Sequence, residues 1–206
     1  MLGFIATHSD VINAIANVAI VLIWVVYLQL FLVTLRRQRR SAIRIDRGVA
    51  SDEHARCIVT NMGQEPVYLL AIVADFGDAA HCARAVVTDR DELADKEVSV
   101  ELERTNQGPL SQGQALDVGS LADLLQRARA RLDVKIEQAE IERMSVTAVA
   151  ISNEAAHLVA AQKTFAADHR QDGRVLFTPE TVLTRQVRSR WKRRDLLAFL
   201  ENRDEV

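Results

Sequence analysis

The sequence is poor in the residues that mark small secreted scaffolds and unstructured chains. Its 206 residues include two cysteines, three prolines and eight glycines, which excludes a disulfide scaffold and a collagen-like repeat. Charged residues make up 26% and apolar residues 49%, proportions that favour a folded core over disorder. The length allows one ordinary domain and an appendage.

Motifs of the common enzyme and cofactor sites are also missing from the sequence. It contains no phosphate loop, no dinucleotide fingerprint and no nucleophile elbow, and the histidine and cysteine spacings do not suit a metal site. We interpret Cys57 and Cys82, each in a predicted strand, as reduced core thiols. The alternative is that they lie on neighbouring strands and pair. The prediction is no catalytic residue, no cofactor and no metal.

One long apolar run stands out against these absences. From Val11 to Leu35 the sequence carries no charged residue, and about 20 apolar residues suffice to cross a bilayer as a helix. The preceding flank has no lysine or arginine, unlike a cleavable signal peptide. We predict a permanent transmembrane helix over residues 11–35 after a short extracytoplasmic segment, residues 1–10.

Arginine is concentrated on one flank of this run. Residues 36–47, the basic juxtamembrane segment, hold six arginines and one aspartate. Basic residues beside a span stay on the cytoplasmic side, so the N-terminus is predicted outside and the bulk of the chain in the cytoplasm. Arginine outnumbers lysine by 22 to 4, which is typical of a GC-rich bacterial genome. The predicted location is therefore a bacterial inner membrane.

Polar and aromatic side chains inside the run indicate a contact with a second membrane helix. Asn13 and Asn17 are four residues apart and share a helix face, which Trp24 and Tyr27 continue. Tryptophan and tyrosine normally lie at the membrane interfaces, whereas these two fall near mid-span. We assign a membrane-partner face to Asn13, Asn17, Trp24, Tyr27 and Gln29. The alternative is a plain tether.

The remaining sequence predicts a mainly β domain over residues 42–178. Ser120 and Asp123 form a capping box that begins one inserted helix. Strand-like runs separated by turn residues indicate an antiparallel β-sandwich of immunoglobulin-like architecture. We expect two hairpins, one joining residues 55–61 to 67–76 and the other joining 144–152 to 157–165. Further strands are predicted at 42–46 and 82–88, whereas 89–103 and 179–190 remain unassigned.

The C-terminal segment, residues 179–206, is basic and ends in a predicted helix from about 188 to 202. Basic residues beside exposed apolar ones suit an anionic membrane surface. The alternative is a solvated terminal helix. The predicted anionic-lipid contacts are Arg36, Arg37, Arg39, Arg40, Arg190, Trp191, Lys192, Arg193 and Arg194. Nucleic acid is a poor partner, because residues 48–180 hold 13 basic and 22 acidic residues.

Three functional hypotheses follow from these patterns. The leading one is a membrane-anchored interaction or accessory module that binds another membrane protein. The second is a membrane-tethered enzyme or small-ligand binder with a loop-built site that uses Asp75, His81 and Arg84. The third is a sensor of anionic lipid surfaces.

Overall fold

The computed structural model describes residues 9–38, 42–48, 55–77, 82–89, 105–132, 141–152, 157–170 and 175–202. The chain divides into two units, Met1–Arg40 and Ser41–Val206. The first unit contains α1, Ser9–Gln38, a continuous helix of 30 residues. Its stretch Val11–Leu35 is long and apolar enough to cross a membrane.

The second unit is a β domain that carries two further helices in its described residues. The strands are β1 (Ile43–Arg47), β2 (Arg56–Asn61), β3 (Val67–Gly77), β4 (Cys82–Val86), β5 (Gly108–Leu110), β6 (Ala115–Ser120), β7 (Arg143–Ser152), β8 (His157–His169), β9 (Val175–Pro179) and β10 (Arg185–Gln186). The helices are α2 (Leu121–Arg131) and α3 (Arg190–Glu201).

The strands form two antiparallel sheets of unequal size. The small sheet has the order β1-β2-β6, and the large sheet has the order β10-β8-β7-β3-β4, with β5 paired to β3 and β9 to β8. Successive side chains of each strand point to opposite faces, and both faces of β3 and β7 are largely buried. The sequence prediction of an N-terminal apolar helix followed by a mainly antiparallel β domain is therefore confirmed.

The large sheet is covered on both faces. Phe76, Met144 and Phe165 on its inner face belong to one buried cluster with Val59 of the small sheet and Leu124 of α2. Its outer face carries a second cluster, in which β-strand residues including Val73 and Val149 pack against Leu196, Phe199 and Leu200 of α3. The apolar side of the C-terminal helix thus packs on the large sheet of the same chain.

The predicted hairpin between residues 55–61 and 67–76 is wrong. β2 belongs to the small sheet and β3 to the large one, so the turn between them passes from one sheet to the other. Asn61 fixes this corner: its Nδ2 donates to the carbonyls of Glu65 and Leu110, and its Oδ1 accepts from the amide of Gly63. These bonds hold a buried asparagine in a turn that leaves the sheet.

The free edge of β1 is closed by side chains, a contact that we call the β1 seam. Thr184 Oγ1 accepts from the amide of Ile45 and donates to its carbonyl, both at 2.9 Å. The amide of Gln186 does the same for Ile43, with Nε2 2.6 Å from the carbonyl oxygen. Two side chains thereby take the place of a neighbouring strand and join the small sheet to β10.

The opposite opening between the sheets is closed by α2, a contact that we call the α2 seam. Arg127 is buried, and its Nη1 donates to the carbonyl of Val118 in β6 at 3.1 Å and to that of Val87 beyond β4 at 3.4 Å. One guanidinium therefore bridges the two sheets. Gly119 permits this approach, because its φ is +120° and a Cβ built there would lie 2.8 Å from Arg127 Nη2.

Several local predictions are confirmed by these elements. The capping box of Ser120 and Asp123 is present at the start of α2, and β7 pairs with β8 as the second expected hairpin. Three strands were not predicted: β5 inside a glycine- and proline-rich stretch, β9, and β10 in the unassigned residues 179–190. Cys57 is buried whereas Cys82 is exposed, and both thiols are free, so the core assignment is wrong for Cys82.

Replacing Gly119 should destabilise the domain more than replacing another positive-φ glycine. For Gly119→Ala we expect the free energy of unfolding to fall by about 2–4 kcal/mol, because backbone strain adds to displacement of the buried Arg127. Gly113 is the matched control: its φ is +72°, but a Cβ there meets nothing within 4 Å. Gly113→Ala should cost about 1–2 kcal/mol. Equal losses in denaturant unfolding of the two variants would contradict the α2 seam.

Candidate functional site

A polar cleft lies on the outer face of the large sheet, beneath α3. Asp75 of β3 and Arg84 of β4 are register partners in the antiparallel pair. Arg84 Nε donates to Asp75 Oδ1 at 2.6 Å, and Arg84 Nη1 donates to Asp195 Oδ2 at 2.9 Å. This ion triad connects two strands to the C-terminal helix.

Exposure differs sharply across the ion triad. The Asp75 side chain is 10% exposed, that of Arg84 35% and that of Asp195 68%. Burial lowers the pKa of the Arg84 guanidinium, but its hydrogen bonds and charge interactions with Asp75 and Asp195 raise it more, so the net change is upward. Arg84 therefore stays protonated over the physiological range and keeps Asp75 paired.

The cleft is small, and the charged groups of the ion triad are paired with one another. Its volume is about 120 Å³, below the roughly 300 Å³ at which ordinary ligand pockets begin. The Arg84 guanidinium carbon also lies 5.5 Å from the centre of the Phe199 ring. The lining residues are Asp75, Arg84, Thr147, Gln162, Val187, Lys192, Asp195 and Leu196. Such an arrangement clamps a helix to a sheet more readily than it binds a substrate.

The sequence hypothesis of a loop-built site is met only in part. Asp75 and Arg84 come together as it required, whereas His81 lies outside the described residues. Asp195 and Phe199 were missed, because no local pattern indicates where a terminal helix docks. The register of β3 and β4 after the turn at Gly77 was the signal that could have paired Asp75 with Arg84.

Neither cysteine is a candidate nucleophile on the physical grounds found here. Burial, with a smaller contribution from the charge of Asp117, raises the pKa of the Cys57 thiol to about 12. Burial and the charge of Asp75 also raise the pKa of Cys82. Reactive cysteines have a lowered pKa instead. In the part of the chain that the structure describes, no three His, Cys, Asp or Glu side chains cluster as metal ligands.

The predicted membrane-partner face is a stripe on α1 with one exception. Trp24 and Tyr27 meet edge to face, with ring centroids 6.1 Å apart and planes at 84°. At 3.6 residues per turn, Asn13, Asn17, Trp24 and Tyr27 fall within about 80° around the helix. Gln29 falls about 160° from Asn13 on the same geometry. Gln29 therefore lies off this stripe, and its contact with a membrane partner stays a prediction.

The predicted anionic-lipid contacts also separate into groups. Arg36 and Arg37 belong to α1, and Arg39 and Arg40 lie outside the described residues. In α3 four of the named residues are exposed, namely Arg190, Trp191, Lys192 and Arg194.

Arg193 differs from these four exposed neighbours. It is half-buried and donates to the carbonyls of Leu158 and Arg188. These bonds fix α3 to the start of β8, so Arg193 serves the fold, and its contact with lipid stays a prediction.

Comparison with known proteins gives no relative: no protein-family model, no curated protein and no solved structure matches the chain.

The ion triad predicts a graded response to mutation. Arg84→Met leaves the buried Asp75 carboxylate unpaired and should lower the free energy of unfolding by about 3 kcal/mol. Asp195→Asn removes only the exposed partner and should cost at most about 1 kcal/mol. The double variant Asp75→Asn with Arg84→Met should recover part of the loss. Denaturant unfolding measures all three, and an equal cost for Arg84→Met and Asp195→Asn would contradict the role given to Asp75.

Proposed function

We propose that the chain is a single-pass membrane protein whose β domain is an interaction or accessory module for another membrane protein. The observation that carries this proposal is the polar and aromatic stripe of α1, formed by Asn13, Asn17, Trp24 and Tyr27. All four side chains are exposed in the structure. Asparagine in hydrocarbon gains stability from hydrogen bonds to a neighbouring helix. The proposed partner of this stripe is therefore a second membrane-spanning helix.

The state of the ion triad supports an accessory role over an enzymatic one. Asp75 is held by Arg84 in a cleft of about 120 Å³, so neither residue is available as a general acid or base without breaking the triad. The two packed antiparallel sheets support the proposal of an immunoglobulin-like sandwich, the architecture of many interaction modules.

We further propose that the β domain lies in the cytoplasm of a bacterium, with the N-terminus outside the inner membrane. The six arginines of residues 36–47, against none before the span, support this orientation. A protease added to intact spheroplasts should leave a C-terminal tag uncut and should cut it after lysis. Cleavage of the tag in intact spheroplasts would overturn the orientation.

The helix partner can be tested by photo-crosslinking in native membranes. A photoreactive amino acid at Trp24 should give a specific adduct with one other membrane protein, because the stripe faces that partner. Leu22 is the matched control, since it is also exposed and lies about 160° around the helix from Trp24. A probe at Leu22 should give lipid adducts only.

The outcome at the two positions decides the proposal. Protein adducts of equal yield at Trp24 and Leu22 would indicate random collisions. Lipid adducts alone at both positions would reduce α1 to a tether and contradict a helix partner.

A further inference from the structure

Several segments of the β domain come together beside the start of β1, at one end of the domain. The amide of Met62 donates to the carbonyl of Ala42 at 2.8 Å. The β1 seam then places Gln186 beside Ile43, and the chain runs on from Gln186 to the start of α3 at Arg190. Arg193 ties this start to Leu158. We call this end of the domain, with Met62, Arg188, Arg190 and Trp191, the proximal end.

The covalent chain sets an upper limit on the distance between Ala42 and the apolar stretch of α1. From Leu35 to the last helical residue, Gln38, three helical steps rise about 4.5 Å. The four steps from Gln38 to Ala42 span at most about 14 Å whatever path they take. Ala42 therefore lies within about 19 Å of the end of the apolar stretch. If α1 spans a bilayer, the proximal end lies within reach of the headgroups.

The surface chemistry of the proximal end fits an anionic bilayer. Trp191 is 81% exposed and Met62 is 56% exposed. Arg188 and Arg190 are exposed, and neither forms an ion pair within the described residues. The nearby carboxylate of Glu65 is half-buried and accepts from Ser152 Oγ at 3.3 Å.

Exposed acidic side chains lie at the opposite end of the domain. Glu142 follows the end of β3 by its hydrogen bond to Gly77, and Asp168 lies near the end of β8. This end therefore carries both signs of charge, because Arg143 and Arg170 are also exposed there. The proximal end differs in presenting Trp191 beside Arg188 and Arg190.

The packing of α3 decides how the C-terminal segment could meet the lipid. An amphipathic helix that lies in the interface buries its apolar side among acyl chains. In α3 that side is already used, because Leu196 is buried and Phe199 and Leu200 pack on the large sheet. Only the first turn of α3, with Trp191 pointing outward, remains for membrane contact.

We infer that the proximal end is a second membrane contact, which seats the β domain on an anionic bilayer with Trp191 in the headgroup region and Arg188 and Arg190 on lipid phosphates. Tryptophan favours this depth because its ring is amphipathic. This inference rests on the proposed span of α1 and requires no protein partner. The contact fixes the orientation of the domain relative to the membrane.

The tryptophan content of the chain provides a direct test. The sequence has two tryptophans, so Trp24→Phe leaves Trp191 as the sole tryptophan in the full chain. In nanodiscs of mixed phosphatidylglycerol and phosphatidylcholine with brominated acyl chains, Trp191 fluorescence should be quenched and protected from acrylamide. In nanodiscs of phosphatidylcholine alone, or in high salt, quenching should fall, because the arginine contribution is electrostatic.

Two matched controls are needed. The first distinguishes docking of Trp191 from mere proximity of the domain to the membrane, and the second distinguishes a local effect of two arginines from a change in net charge. Val182 is 83% exposed and lies beyond Ile45 along the β1 seam, away from Ala42. A tryptophan introduced as Val182→Trp, with both natural tryptophans replaced by Phe, should escape lipid quenching.

The charge control compares two pairs of arginines. Replacing Arg188 and Arg190 by Gln should weaken docking about 30-fold, roughly fivefold for each cation removed from an anionic surface. Replacing Arg143 and Arg170, at the opposite end, by Gln should leave it unchanged.

The companion variant Trp191→Phe separates the two proposals. If Trp24 is quenched by bromine deep in the acyl chains and Trp191 is not quenched, the span stands and the second contact is overturned. If neither is quenched, the span itself fails. Trp191 quenching equal to that of the Val182→Trp reporter, or unaffected by the loss of Arg188 and Arg190, would also overturn the inference. A protein partner, in contrast, would shield Trp191 only in native membranes.

Discussion

The β domain depends on satisfying the backbone hydrogen-bonding groups at the edges of two sheets of unequal size. A buried edge carbonyl or amide without a partner is costly, so sheets that share a core need a closure on each side. Here both closures use side chains. Thr184 and Gln186 complete β1 on one side, and Arg127 bonds to carbonyls of both sheets on the other. The inner cluster of the large sheet lies between these two closures. The outer cluster, beneath α3, lies outside them.

The sequence predicted individual strands better than it predicted their neighbours. Strand-like runs between turn residues located β1, β3, β7 and β8 within a few residues. The partner of β2 was wrong, because the turn after Asn61 changes sheets through side-chain bonds that no spacing rule encodes. β5 was missed because Gly108 and Pro109 are local strand breakers. In the candidate site, the strand register could pair Asp75 with Arg84, whereas Asp195 depends on how α3 docks.

Arginine illustrates why charge counts alone misjudge a surface. As sequence, Arg84, Arg127 and Arg193 are indistinguishable from the exposed cations around them. In the structure each of the three donates to carboxylates or backbone carbonyls, a use for which the forked guanidinium is suited. Once these three arginines are set aside, exposed cations such as Arg188 and Arg190 are the ones that can attract anions. The predicted lipid surface is therefore smaller than the basic segments suggest.

The β1 seam also has a consequence for the order of folding during synthesis. Chains leave the ribosome from the N-terminus, so α1 and β1 emerge before the segment that completes β1. Ile43 and Ile45 must await Gln186 and Thr184, which are separated from them by 143 and 139 residues. Until then the nascent domain carries an unpaired strand edge, the kind that promotes aggregation. A chain held at a membrane by its first helix would spend this interval with that edge close to the bilayer and apart from other nascent chains in solution.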